Sequence, residues 1–329
     1  MVKYICVQIF EKDGVLLKNF LKICMLISAM LMLASCTQTE ESHEKQETEN
    51  IVTSFEHPET KQKYKIVNAY KLYDNYQEQV ESNPNQSKRE IYKEEVIEPI
   101  FSDCFENGEY IHMAHYALKV APEQLTENQL LSKKIDREET EKLIKEALFK
   151  SSDLIPSEKE TTVCVLPATN VNADMVTVGA GKIIVLYNKY YTEDFLRFTI
   201  AHEYHHSIWA EKYVSRANDF KVLDYIVFEG KAMMFSKLVY PDYYDKTIYS
   251  SYDRENWSKV VGDLDSTSFK RSQQIILGGV DLPNRYGYGE GYKMVKSYLD
   301  LHPNVTPEEW TALSAKEIFE GGNYLDHYQ

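Results

Sequence analysis

Ala201-His202-Glu203-Tyr204-His205-His206-Ser207-Ile208-Trp209-Ala210 is the stretch from which the fold can be read. It contains the pattern H-E-x-x-H as His202, Glu203 and His206. Positions four apart on an α-helix lie on one face, one turn apart. The spacing therefore brings two imidazoles to a single metal ion, with Glu203 beside them and able to reach a water on that ion. His205 is one position from His206, about 100° round the helix, and does not share the ion. It reads as a packed or solvated imidazole, or as one that touches the ligands or a substrate. So short a pattern arises by chance, and its surroundings must carry the argument.

Towards the N-terminus, Thr192 is placed as a helix N-cap, and Glu193 and Asp194 suit the positive end of that helix. Three short β-branched runs come before it, at 162–167, 175–178 and 182–187. Gly179-Ala180-Gly181 predicts a turn or bulge between the last two. It is not a phosphate loop, because the rest of G-x-x-x-x-G-K-[ST] is missing and a strand follows. The run from Ile183 to Leu186, just before the metal helix, is expected to be an edge strand that pairs with a substrate backbone. Residues 61–155 read as helical. Tyr64, Val67, Tyr70 and Tyr73 recur at helical spacing. Ile91, Val96, Ile97 and Ile100, interrupted by Pro99, predict a kinked helix, and residues 136–150 a further one.

Towards the C-terminus, a third ligand is needed, since a catalytic zinc takes three protein ligands and keeps one open position. A second long helix is expected over 221–238, carrying Phe228-Glu229-Gly230-Lys231-Ala232. Glu229 lies 23 positions after His206, a distance over which a helix–loop–helix return can bring it back to the imidazoles. Asp219 and Asp224 are the alternatives. Glu211 is on the metal helix itself and turned away.

H-E-x-x-H followed by E-G-x-A on the next helix resembles the gluzincin metallopeptidases. The longer strings His-Glu-Tyr-His-His and Leu-Asp-Tyr-Ile-Val-Phe-Glu-Gly-Lys-Ala are similar to the YjaZ-like group of predicted zinc-dependent proteases. The resemblance covers roughly residues 160–325. It implies a zincin-like fold, Zn2+ as cofactor, His202, His206 and Glu229 as ligands, and Glu203 as general base. Aminopeptidase-type gluzincins also place a tyrosine in a Y-x-x-G string that opens a later helix, as donor to the carbonyl oxygen under attack. Tyr288-Gly289-Glu290-Gly291 has that form, with Tyr286 and Tyr292 as alternatives. Two departures stand out. Thermolysin-like enzymes carry an aspartate four positions after the ligand glutamate, where this chain has Met233. No G-x-M-E-N string precedes the metal helix, so a free N-terminus is not an expected substrate feature.

The 329 residues are 43% hydrophobic and 27% charged, a globular composition with room for one or two domains. The net charge of −14 repels nucleic acid and anionic headgroups, and no basic stripe offsets it. Lys18 and Lys22 precede an apolar run from Ile23 to Leu33 that is too short for a stable membrane anchor but suits a secretory signal. It ends in Leu33-Ala34-Ser35-Cys36, which resembles the bacterial lipobox and implies lipidation of Cys36. Cys104 and Cys164 are then the cysteines left in the mature body besides the lipidated one. They pair or stay as buried thiols, and the reading leans to unpaired thiols.

The expected organisation is a lipoprotein signal peptide at 1–35, a flexible acidic tether at 36–60, a helical N-terminal region at 61–155 and a zincin-like metallopeptidase domain at 156–329. The fold class is α+β, predominantly helical, with a small sheet before the H-E-x-x-H helix. The expected activity is zinc-dependent hydrolysis of a peptide or protein substrate, at the membrane through the Cys36 anchor, facing outside the cytoplasm and without nucleic acid. The alternative is a lipid-anchored zinc- or peptide-binding protein on an inactive peptidase fold.

Overall fold

Thr161–Pro167 (β3) is buried along its whole length and forms the centre of a five-stranded mixed sheet. A strand covered on both faces reads as an unbroken apolar run, as Val163-Cys164-Val165-Leu166 does. The computed structural model describes residues 51–169, 175–248, 251–279 and 281–329. The expected signal sequence, Cys36 and most of the expected tether lie outside the described residues. Among the described residues, no helix is long and apolar enough to cross a membrane.

The other strands are Val52–Glu56 (β1), Lys63–Val67 (β2), Met175–Gly179 (β4) and Lys182–Tyr187 (β5). Their spatial order is β1-β2-β3-β5-β4. The pairs β2/β3 and β3/β5 are parallel, while β1/β2 and β4/β5 are antiparallel hairpins. Three expectations are corrected by this order. The end of the tether is strand, since β1 pairs with β2 from Val52↔Val67 to Glu56↔Lys63. Tyr64 and Val67 are not helical: Lys63-Tyr64-Lys65-Ile66 alternates polar and apolar, which suits a strand with Tyr64 and Ile66 facing the core. The boundary expected at Pro156 does not separate two bodies, because β2 hydrogen-bonds along β3. A fourth correction bears on the site. β5 lies between β3 and β4, so among the described residues the edges are β1 and β4, and the Ile183–Leu186 run is interior.

The helices are Tyr73–Ser82 (α1), Lys88–Tyr92 (α2), Glu98–Cys104 (α3), His115–Lys119 (α4), Leu125–Ser132 (α5) and Arg137–Leu154 (α6). After the sheet come Glu193–Tyr213 (α7), Val222–Val239 (α8), Arg254–Ser258 (α9), Phe269–Leu277 (α10), Tyr286–Leu301 (α11), Pro307–Ala312 (α12) and Ala315–Gly321 (α13). The chain is α+β and mostly helical, as read. The kink expected near Pro99 is a π-helical turn, Lys93–Ile97, between α2 and α3.

Alternation along the strands sorts the two faces. Val163, Val165, Ile183 and Val185 join the core beneath α6, α7 and α8. Cys164 points to the opposite face, where α3 ends at Cys104. The two cysteines form a disulfide across a Cα–Cα distance of 6.0 Å, contrary to the unpaired expectation. Sixty residues separate them in sequence, and only the packing of α3 over the sheet brings them together.

Candidate metal centre

α7 begins as its sequence dictates, with the Thr192 hydroxyl accepting from Phe195 N at 3.2 Å. From Ile200 to Ala210 every residue is buried, because the helix is wrapped by the sheet on one side and by later helices on the other. Val214–Asp219 turns the chain back in a short 3-10 helix, and α8 returns along α7.

Three ligand atoms converge. His202 Nε2 and His206 Nε2 are 3.0 Å apart, and Glu229 Oε2 lies 3.2 Å from the first and 3.3 Å from the second. Ligands arranged tetrahedrally at zinc bond lengths of about 2.0–2.1 Å sit about 3.3 Å from one another. The triangle fits such an ion, and two imidazoles with one carboxylate are a donor set that zinc takes. Among the described residues these three form the one cluster of metal-ligating type. The alternatives for the third ligand are elsewhere. Asp219 is exposed, and Asp224 caps α8 by accepting from Lys221 N at 2.9 Å. Glu211 is turned away, as read, and holds Ser157 Oγ at 2.5 Å and Glu158 N at 3.0 Å.

Two glycines explain how Glu229 reaches the site together with α11. A Cβ on Gly230 would lie 2.1 Å from Gly291 C, and one on Gly291 would lie 2.0 Å from Ile226 O. The backbones of α8 and α11 therefore touch, and the crossing sets Glu229 beside Tyr288. The Tyr288 ring lies 5.9 Å from that of His202. Burial, and after it the Glu229 carboxylate, hold the Tyr288 hydroxyl protonated, with Arg285 working against them. Its proton is thus available for donation. Tyr286 is governed by burial and Glu290 instead, and Tyr292 by burial and Lys296.

Glu203 has a partner that the motif did not reveal. Thr177 on β4 places its hydroxyl 2.9 Å from Glu203 Oε2 and 2.8 Å from Glu203 O. Thr177 pairs with Ile183, so both face α7. A threonine in a β-branched run carries no local mark of this contact. Where thermolysin-like enzymes use an aspartate, Met233 offers nothing polar. His206 Nδ1 is buried without a hydrogen bond, and its ring is held by stacking on Phe228 at 4.2 Å.

The charges are coupled. Burial opposes ionisation of Glu229, but His206 and His202 outweigh it and bring its pKa from 4.5 to about 2. Burial also opposes charge on His206, yet Glu229 lifts its pKa above 6.5. In the metal-free chain, the Glu229 contribution to stability is present above pH 4.5 and lost as pH falls towards 2. The His206 contribution is complete below pH 6.5 and is lost as pH rises through the raised value. A zinc ion held by the triangle would have to displace that proton, so its affinity should be lower at pH 6 than at pH 8, while metal-free stability from this pair is greater at pH 6. Calorimetric titrations and melts at both pH values check this, and equal zinc affinity at the two would contradict it.

The sequence model of a family described as "Predicted Zn-dependent protease (DUF2268)" matches residues 140–320, more than half of the chain. The match runs from α6 to α13 and includes every residue of the site. No curated protein and no solved structure matches the chain.

Proposed function

Since the chain belongs to the DUF2268 family, whose members are described as predicted Zn-dependent proteases, we propose that it is a zinc-dependent peptidase of zincin-like, gluzincin type. The observation that carries this reading is the three-atom triangle of His202, His206 and Glu229, with Glu203 in the same helical turn as the imidazoles. His202, His206 and Glu229 would hold the zinc, which would supply a Lewis acid to polarise a carbonyl and acidify a water. Glu203 takes a proton from the attacking water and delivers it to the leaving amine. Thr177 fixes the carboxylate that does so, by a hydrogen bond that leaves the other oxygen of Glu203 for the water. Tyr288 donates to the carbonyl oxygen as negative charge grows on it. β4 carries Thr177 at the sheet edge, and an extended peptide adds along Met175–Thr177, since Val178 O already accepts from Tyr110 N at 2.9 Å. It takes over the role first expected of Ile183–Leu186.

The proposal extends to location. The lipobox-like string at Cys36 supports a lipid anchor with the catalytic body outside the cytoplasm, and the Cys104–Cys164 disulfide is a bond that an oxidising compartment favours.

The test is metal analysis and a cleavage profile of the full-length chain on a diverse peptide library. One zinc per chain and hydrolysis abolished by a chelator are expected. Cleavage that survives complete zinc removal would sink the reading, and one zinc with no cleavage would leave a binding protein. In the same assay, Tyr288→Phe should lower kcat about 10²–10³-fold with KM and zinc content unchanged. Wild-type kcat in that variant would remove Tyr288 from the mechanism.

A further inference from the structure

His205 and Lys231 are both buried, yet neither belongs to the ligand triangle. They come from the two helices that carry the ligands. His205 precedes His206 on α7, and Lys231 follows Glu229 by two positions on α8. Both side chains end on one turn of α12. Lys231 Nζ donates to the carbonyl oxygens of Thr311 at 3.0 Å and Leu313 at 2.5 Å. Carbonyls at the end of a helix have no partner within it and must find one elsewhere. His205 Nε2 lies 3.1 Å from Thr311 Oγ1. The Thr311 hydroxyl gives its one hydrogen to Pro307 O at 2.6 Å. It therefore accepts from His205, whose Nε2 carries the hydrogen. The His205 ring also stacks on Trp310 at 5.5 Å and lies 5.4 Å from Phe235 of α8.

We propose that residues 310–313 form a brace that sets the spacing of α7 and α8, with His205 and Lys231 as positioning residues for the metal triad. Apolar packing between two helices is non-directional, and a small slide of one along the other is enough to open the ligand triangle. Hydrogen bonds from both helices to one short turn remove that freedom. An apolar chain would fill the space of Lys231 without the cost of burying an ammonium group. The two carbonyls it grips give that charge a directional role. The Thr311 and Leu313 contacts lie about eighty residues from Lys231 in sequence, so no local motif announces them.

This inference rests on the zinc site proposed above, and its readout is metal affinity, independent of turnover. Zinc dissociation constants would be measured on the full chain by chelator competition, for wild type, Lys231→Met and Thr311→Val. Ile100→Val, a buried change on α3, on the sheet face opposite α7 and α8, is the control. Far-UV circular dichroism and a melt of each metal-free protein establish folding. Both brace variants are expected to bind zinc about tenfold more weakly, the lower end of what supporting groups around a metal contribute, and Ile100→Val within twofold of wild type. If Lys231→Met does not fold, Thr311→Val, which keeps shape and removes the hydroxyl that accepts from His205 and donates to Pro307 O, decides. Brace variants within twofold of wild type overturn the proposal, as does an equal loss in Ile100→Val. A wild-type chain that binds no zinc overturns the metal centre and the brace together. One that binds zinc and cleaves nothing overturns the peptidase reading alone.

Discussion

Glu203→Gln is expected to retain one zinc per chain and lose about 10²–10⁴-fold in kcat. The change is nearly isosteric. A glutamine oxygen can still accept from Thr177, which lies 2.9 Å from Glu203 Oε2, so the side chain stays where it is. The ligand triangle does not include Glu203, and zinc affinity should move little. What disappears is the one group in the turn able to take a proton from water and return it to the departing amine. Full burial makes the loss hard to bypass, since bulk water and buffer bases have poor access to Ile200–Ala210. The measurement pairs kcat on a fluorogenic peptide with zinc content of the same preparation. A kcat within threefold of wild type would exclude Glu203 as the base.

Glu229→Gln is expected to weaken zinc binding by more than about 100-fold, beyond the usual effect of groups that merely support a ligand. Its carboxylate is the one negative charge in the triangle. Burial opposes its ionisation, but His206 and His202 hold its pKa down at about 2. Without it, two imidazole nitrogens remain 3.0 Å apart with no charged ligand atom beside them to balance a dication. The same change removes the largest of the causes that raise the His206 pKa and leaves the smaller one, Glu203. Metal-free stability in the variant should then lose most of the fall above pH 6.5 that the His206–Glu229 pair gives the wild type. Competition with a chelator and a pair of melts report both effects. Wild-type zinc affinity in this variant would return the third-ligand role to another residue.

Much of the site was legible because its rules are local. An α-helix turns every 3.6 residues, so His202, Glu203 and His206 share a face wherever the helix lies. Thr192 caps because a hydroxyl there meets a free amide within its own turn. Glu229 was legible one step further out, since 23 positions after His206 suit a helix–loop–helix return, which the structure makes through the 3-10 turn Val214–Asp219. Tyr288 was named by a resemblance, and the Gly230–Gly291 contact accounts for its place beside Glu229.

The sequence by itself determined the elements with a strong internal period and the residues that a helical period brings together. The tertiary structure decided every partnership formed across distance. It made β4 rather than β5 the edge, drew β1 and β2 into the sheet, joined Cys104 to Cys164, set Thr177 against Glu203, and gave His205 and Lys231 a common turn of α12. Strand order and helix packing are chosen by the burial of whole faces. That energy depends on segments tens of residues apart and leaves no periodic mark in either of them.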